Sequence, residues 1–183
     1  MLIGWYKRET ANANNRELDI PEPSSTNKAA LSVGASVLQY PTKNFIDGKF
    51  LVRFDPDKWK LDKENTVSVL DDVQYVSGDV WLRIIAEEIE LSYETLLEVI
   101  VSNAREADPS AKLTNSGFRD VNGKRIMWAR IDAKVSGIPI IYYSHIYTGP
   151  EGTVQLIGYT TQNIFEKRVE KIEEVIASFI VQP

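Results

Sequence analysis

The sequence predicts an α+β fold in which an antiparallel β-sheet is flanked by helices, and three observations carry that prediction. Two turn signals, Asn122-Gly123 and Ser136-Gly137, cut residues 113–147 into three alternating apolar runs. Asn-Gly suits a type I′ hairpin because both central residues take positive φ, which these two residue types tolerate. Amphipathic stretches open at Ser92 and near Asn163, on either side of those runs. From Lys49 onward the order is strand, turn, strands, helix, three or four antiparallel strands, helix.

Taken in order, residues 1–48 are expected to form an N-terminal arm or linker, and residues 49–183 a single domain. Residues 10–28 are rich in Asn, Ala, Pro and Ser and show no periodic apolar face. A small-residue apolar run at 29–37 ends before Tyr40-Pro41 and fits either a short helix or an edge strand. Phe50, Val52 and Phe54 alternate with Leu51 and Arg53 as a strand that stops at the turn Asp55-Pro56-Asp57, followed by Trp59. A strand over 73–76 joins one over 79–89 through Ser77-Gly78-Asp79, and Val80, Leu82, Ile84 and Ala86 share one face of the second. Ser92 is placed to cap a helix, with Leu91 and Leu96 as a hydrophobic staple and Leu96, Leu97, Ile100, Val101 and Ala104 on one stripe. Asp108-Pro109 ends it, because the residue before proline is pushed out of helical space. After the three hairpin strands comes a fourth, over 154–161, and then a helix from about Asn163. Glu166 is its reciprocal capping partner, and its core side is Phe165, Val169, Ile172, Ile176 and Phe179.

The two short loops fix the register by counting. If Val121 pairs with Lys124 and Val135 with Ile138, then Phe118 lies opposite Met127. Met127, Ala129, Ile131 and Ala133 then lie opposite Ile146, Ser144, Tyr142 and Ile140, a nearly dry face suited to a core. On the other face Ile126, Trp128, Arg130 and Asp132 meet Tyr147, His145, Tyr143 and Ile141, with Gly117 opposite Trp128. This second face is aromatic and polar. Trp128, Arg130, Tyr143, His145 and Tyr147 are therefore the candidate residues for binding a ligand or partner. The competing expectation is that a helix covers the face, burying aromatic bodies and leaving polar tips at its edge.

Composition narrows the chemistry. The 183 residues suffice for one domain with a substantial core, and 43% hydrophobic and 26% charged content is ordinary for a folded protein. Twenty-one basic residues are scattered among 26 acidic ones, so nucleic acid is not an expected partner. No cysteine is present, which removes disulfides, thiolate metal sites and cysteine nucleophiles. No apolar run approaches the roughly 20 residues needed to span a bilayer, so the chain is expected to be soluble. That fits the cytoplasm or, if an N-terminal signal or anchor has been removed, the periplasm or a lumen. With one histidine, no multi-histidine metal site can form, and only His145 is available as the base of a Ser-His-Asp arrangement, with Asp132 two pairs along the same face. There is no Gly-x-Ser-x-Gly elbow, no Walker sequence and no Gly-x-Gly-x-x-Gly. Asp55-Pro56-Asp57 lacks the glycine of a calcium loop, Lys60 standing in its place. No catalytic residue, metal or cofactor is assigned, and the charged stretch 166–174 is expected to be the solvated side of the last helix.

The segment Phe50-Leu51-Val52-Arg53-Phe54-Asp55-Pro56-Asp57-Lys58-Trp59 resembles the strand and aromatic-x-Pro-x-x-Trp turn of the PsbP-like family. That family is named for the extrinsic photosystem II protein and shares its fold with a Ran-binding nuclear import factor and bacterial DcrB-type proteins. Gly137-Ile138-Pro139 before a long aromatic strand and Ile176-Ala177-Ser178-Phe179 at the last helix extend the resemblance from Lys49 to Pro183. It implies an α/β/α sandwich with both sheet faces covered. It also implies a non-enzymatic role in protein interaction or assembly, chaperone-like in kind, with proteins as partners. The alternative is a small-molecule binding or hydrolytic domain using the face around Trp128, Arg130, Tyr143 and His145.

Overall fold

The computed structural model describes residues 39–63 and 72–182. Among the described residues ten strands form two antiparallel sheets. β1 (Thr42–Phe45), β2 (Phe50–Arg53) and β10 (Ile180–Val181) make a small sheet in the order β1-β2-β10. The large sheet has the order β3-β4-β5-β9-β8-β7-β6. Its strands are β3 (Lys60–Leu61), β4 (Asp72–Ser77), β5 (Val80–Glu87), β6 (Lys112–Val121), β7 (Lys124–Val135), β8 (Ile138–Gly149) and β9 (Gly152–Thr161). Helix α1 (Tyr93–Ala107) lies between β5 and β6 in sequence, and α2 (Phe165–Ala177) follows β9.

The hairpin register agrees with the counting. Val121 pairs with Lys124, Val135 with Ile138, Trp128 with both Gly117 and His145, and Arg130 with Tyr143. Asn122 and Gly123 take φ of 47° and 80°, and Ser136 and Gly137 take 51° and 82°, so both turns use the left-handed conformations that two-residue hairpins require. One irregularity interrupts the β6–β7 ladder, between Leu113 and Asn115.

Side-chain alternation then sends each strand's apolar set to one of two cores. Leu96, Leu97, Ile100, Val101 and Ala104 of α1 pack on Met127, Ala129, Ile131, Ala133, Tyr142 and Ile146, the dry face. The opposite face carries Leu82, Ile84, Trp128, Tyr143 and Leu156. These pack with Phe165, Ile172, Val175 and Ile176 of α2 and with Phe50, Val52 and Trp59 around the small sheet. Trp59 is held by its turn: its amide donates to Asp55 O at 2.9 Å, and the Asp57 amide donates to the Asp55 carboxylate at 2.9 Å. That last bond, with Lys58 nearby, holds the Asp55 carboxyl below its usual range.

Several expectations need correcting. β1 lies within the span assigned to the arm, and Phe45 is fully buried, so the folded unit begins before Lys49. The two-residue strands β3 and β10 carry no alternation long enough to reveal them, and they exist because longer neighbours offer them a ladder. Helix α1 is capped as expected, Ser92 Oγ accepting from the Thr95 amide at 3.1 Å. Helix α2 is not: Ile164 holds the N-cap position with no side-chain cap, and the Asn163 side-chain oxygen Oδ1 instead accepts from the Thr161 hydroxyl at 2.7 Å. The run at 29–37 lies outside the described residues.

Candidate functional site

Three strands and one helix converge on His145. The face of β6, β7 and β8 that looks toward α2 brings Gly117, Arg119, Trp128, Tyr143 and His145 together, and α2 adds Glu173. Trp128 fits there because Gly117 has no side chain: a Cβ at Gly117 would stand 3.1 Å from Trp128 Nε1. The Tyr143 ring meets His145 edge-on at 4.5 Å between centroids and Phe165 of α2 at 5.7 Å.

Arg119 organises the polar groups. Its Nη1 donates to Glu173 Oε1 at 3.1 Å, and its Nη2 lies 2.8 Å from Glu173 Oε2. Nη2 also makes a short hydrogen bond to His145 Nε2. The Tyr143 hydroxyl donates to Glu173 Oε1 at 2.7 Å. His145 is 0% exposed and the Arg119 side chain 1%, whereas Glu173 keeps 20%. Burial pushes the Tyr143 hydroxyl well above its ordinary pKa. Arg119 opposes that shift, while the Glu173 carboxylate adds to it. A guanidinium that touches a carboxylate in fork geometry and an imidazole at once is a charge-assisted, water-poor network.

Arg119 and Glu173 are the residues that sequence reasoning missed. Arg119 was within reach of the counting, since it is two residues on from Gly117 and so shares its face. Glu173 falls within the charged stretch 166–174 that is expected to be solvated. It lies four residues after Val169 and three before Ile176, on the margin of the apolar stripe, and its side chain turns inward to Arg119.

Among the five candidates, His145, Tyr143 and Trp128 lie together, and the other two lie at the ends of the face. Arg130 sits over the first turn of α2, its guanidinium 5.0 Å from the Phe165 ring centre. Its Nε is 3.1 Å from Asp132 and its Nη1 3.3 Å from Glu166. Tyr147 packs against Phe50 and Phe179 and donates its hydroxyl to Glu151 at 2.5 Å, while Lys124 Nζ reaches the same carboxylate at 3.0 Å. Burial, reinforced by Glu151, pushes the Tyr147 hydroxyl up, and the hydroxyl in turn holds the Glu151 carboxyl down.

The arrangement does not assemble a Ser-His-Asp relay. Asp132 is engaged by Arg130 at 3.1 Å and by the Thr114 hydroxyl at 3.2 Å, and the charged partner at His145 Nε2 is a cation. Among the described residues no three His, Cys, Asp or Glu side chains are grouped to hold a metal ion. No helix among them is long and apolar enough to cross a membrane.

No family model and no curated protein matches the chain. Solved structures do. The solution structure of cyanobacterial PsbP (CyanoP) from Synechocystis sp. PCC 6803 superposes with a TM-score of 0.61 at 16% identity, covering 82% of this chain and 98% of that one. PA94, a Pseudomonas aeruginosa protein of unknown function, superposes with a TM-score of 0.51 at 9% identity over 79% of this chain and 98% of its own. At such identities the likeness is one of fold.

Proposed function

Because this chain has the PsbP-like fold, we propose that it is a non-enzymatic protein-interaction or assembly module, chaperone-like in kind, whose partners are proteins. We read its layering as the α/β/α sandwich of that fold, with the three-stranded sheet sharing the layer of α2. The observation that carries the reading is the roof over the chemically richest face. Trp128, Tyr143 and His145 are each 5% exposed or less, and α2 spends its own Glu173 on the cation beside them. A catalytic or ligand pocket needs its polar groups aimed into accessible space, whereas here they are aimed at one another. The mixed charge of the chain favours proteins over nucleic acid as partners.

The test uses the full chain, tagged and cross-linked in an extract of its native host, then recovered under denaturing conditions. The expected result is one or a few proteins recovered in stoichiometric amount. In parallel, His145→Ala is expected to lower stability by about 2 kcal/mol or more, because it leaves a cavity and strips a partner from a buried guanidinium. A small molecule that co-purifies with the chain, and that His145→Ala and Arg130→Ala lose with stability intact, would overturn the reading.

A further inference from the structure

We propose that Arg119, His145 and Glu173 form an acid-sensitive latch that holds α2 on the sheet and releases it when His145 takes up a proton. The proposal concerns regulation of the fold and does not depend on which partner the protein has.

The chemistry of the contact fixes the protonation state. A guanidinium only donates hydrogen bonds, so the Nη2 of Arg119 can bond to His145 Nε2 only if that nitrogen accepts. The closed form therefore contains a neutral imidazole with its proton on Nδ1. The same Nη2 faces Glu173 Oε2 at 2.8 Å, and Nη1 reaches Oε1 at 3.1 Å. One guanidinium thus rests on the imidazole of β8 with one nitrogen and grips α2 with both.

Charge counting gives the direction of the switch. Arg119 and Glu173 together are neutral, and the Tyr143 hydroxyl that donates to Glu173 is neutral. A proton on His145 Nε2 removes the acceptor that Arg119 uses and sets a second cation against the first, where both side chains are at most 1% exposed. β7 presents Trp128, β9 presents Leu156 in register with His145, and β6 contributes Arg119 itself. On β8, Tyr147 is engaged by Glu151, which Lys124 already neutralises. At the start of α2, Glu166 is paired with Arg130. In an opened form the imidazole is hydrated and titrates near the ordinary histidine value of about 6.5. The open form therefore binds more protons than the closed one below that pH, and acid favours opening.

His145 is the chain's only histidine, so its imidazole is a single, unambiguous nuclear magnetic resonance reporter. With the full chain uniformly labelled with nitrogen-15, the ring is expected to show the Nδ1–H neutral tautomer at about pH 7.5. Amide hydrogen exchange, corrected for intrinsic rates, is expected to rise about tenfold or more in α2 between about pH 7.5 and about pH 5.5, with α1 changing far less. His145→Gln keeps a hydrogen-bond acceptor for Arg119 without a titrating group, and it should remove most of the pH dependence in α2. A proton found on Nε2 at neutral pH would overturn the proposal. So would exchange in α2 that is indifferent to acid, or a pH response undiminished in His145→Gln. If that variant does not fold, the wild-type tautomer and the contrast between α2 and α1 still decide.

Discussion

Arg119 keeps its charge in the interior because its two terminal nitrogens meet polar partners: Glu173 in front and His145 beside it, with the Tyr143 hydroxyl on the same carboxylate. Buried ion pairs contribute little over a well-packed apolar pair, yet removing one partner is costly because the survivor stays buried without compensation. Arg119→Leu is therefore expected to cost about 3–5 kcal/mol in urea unfolding. Glu173→Gln, which keeps an acceptor for Tyr143, should cost about 1–3 kcal/mol. Arg119→Met combined with Glu173→Leu should recover part of the single-variant loss, since no ion is left unpaired, while the Tyr143 hydroxyl and His145 Nε2 still lose their partners. At this scale the candidate site was half legible. Alternation placed Trp128, Tyr143 and His145 on one face because strand side chains repeat every two residues. Nothing local marked Glu173, whose inward turn depends on where α2 lands.

The landing of α2 is set by a notch and two clamps. Gly158 on β9 leaves space that Ile172 fills: a Cβ there would stand 2.5 Å from Ile172 Cγ2 and 2.6 Å from its Cδ1. The Asn122 side-chain amide donates to the carbonyls of Ala177 and Phe179 at 2.8 Å each, so the residue that makes the β6–β7 turn also secures the far end of α2. Arg168 grips Asp79 at the tip of the β4–β5 hairpin with contacts of 2.9 and 3.0 Å, which holds the Asp79 carboxyl below its usual range. Gly158→Ala is expected to cost about 1–3 kcal/mol by overpacking, and Ile172→Val in the same chain should return part of it, read as midpoints of thermal unfolding. Ser92→Ala removes the cap of α1 and should cost about 1 kcal/mol without touching the α2 side. The cap of α1 was legible because it is a local hydrogen bond within four residues of sequence. The start of α2 was legible to within two residues, but its cap was not, because packing of Phe165 outweighs the capping chemistry of Asn163.

Across the whole molecule, tyrosines tie stability to alkaline pH. Burial pushes the hydroxyls of Tyr143, Tyr147 and Tyr159 well above the ordinary value, and it pushes Tyr75, Tyr93 and Tyr142 in the same direction. In the unfolded chain these groups ionise near pH 10, so above that value the unfolded state holds fewer protons than the native one and stability falls as pH rises. Absorbance at 295 nm and near-ultraviolet circular dichroism should therefore change together, at a midpoint above that of free tyrosine. Tyrosine ionisation complete before any loss of ellipticity would contradict this. At this scale the meander from β6 to β8 was legible, because two short loops dictate it. The joining of β5 to β9 and the small sheet were not, since long-range pairing leaves no mark on neighbouring residues.

That small sheet has a consequence in time. β1 and β2 are the first strands among the described residues, but β2 is completed on its other side by β10, where Leu51 meets Ile180 and Phe50 meets Val181. Ser178 reinforces the seam, its hydroxyl accepting from the Arg53 amide at 2.8 Å and donating to the Arg53 carbonyl at 2.7 Å. During synthesis the β1–β2 hairpin has to wait for β10, which follows α2, while the β6–β9 meander can pair as it emerges. A ribosome-bound chain stopped short of Ser178 should thus protect the meander from protease and leave β2 open to cleavage. The second sheet is thus closed by the segment that follows α2, after every strand of the meander has emerged.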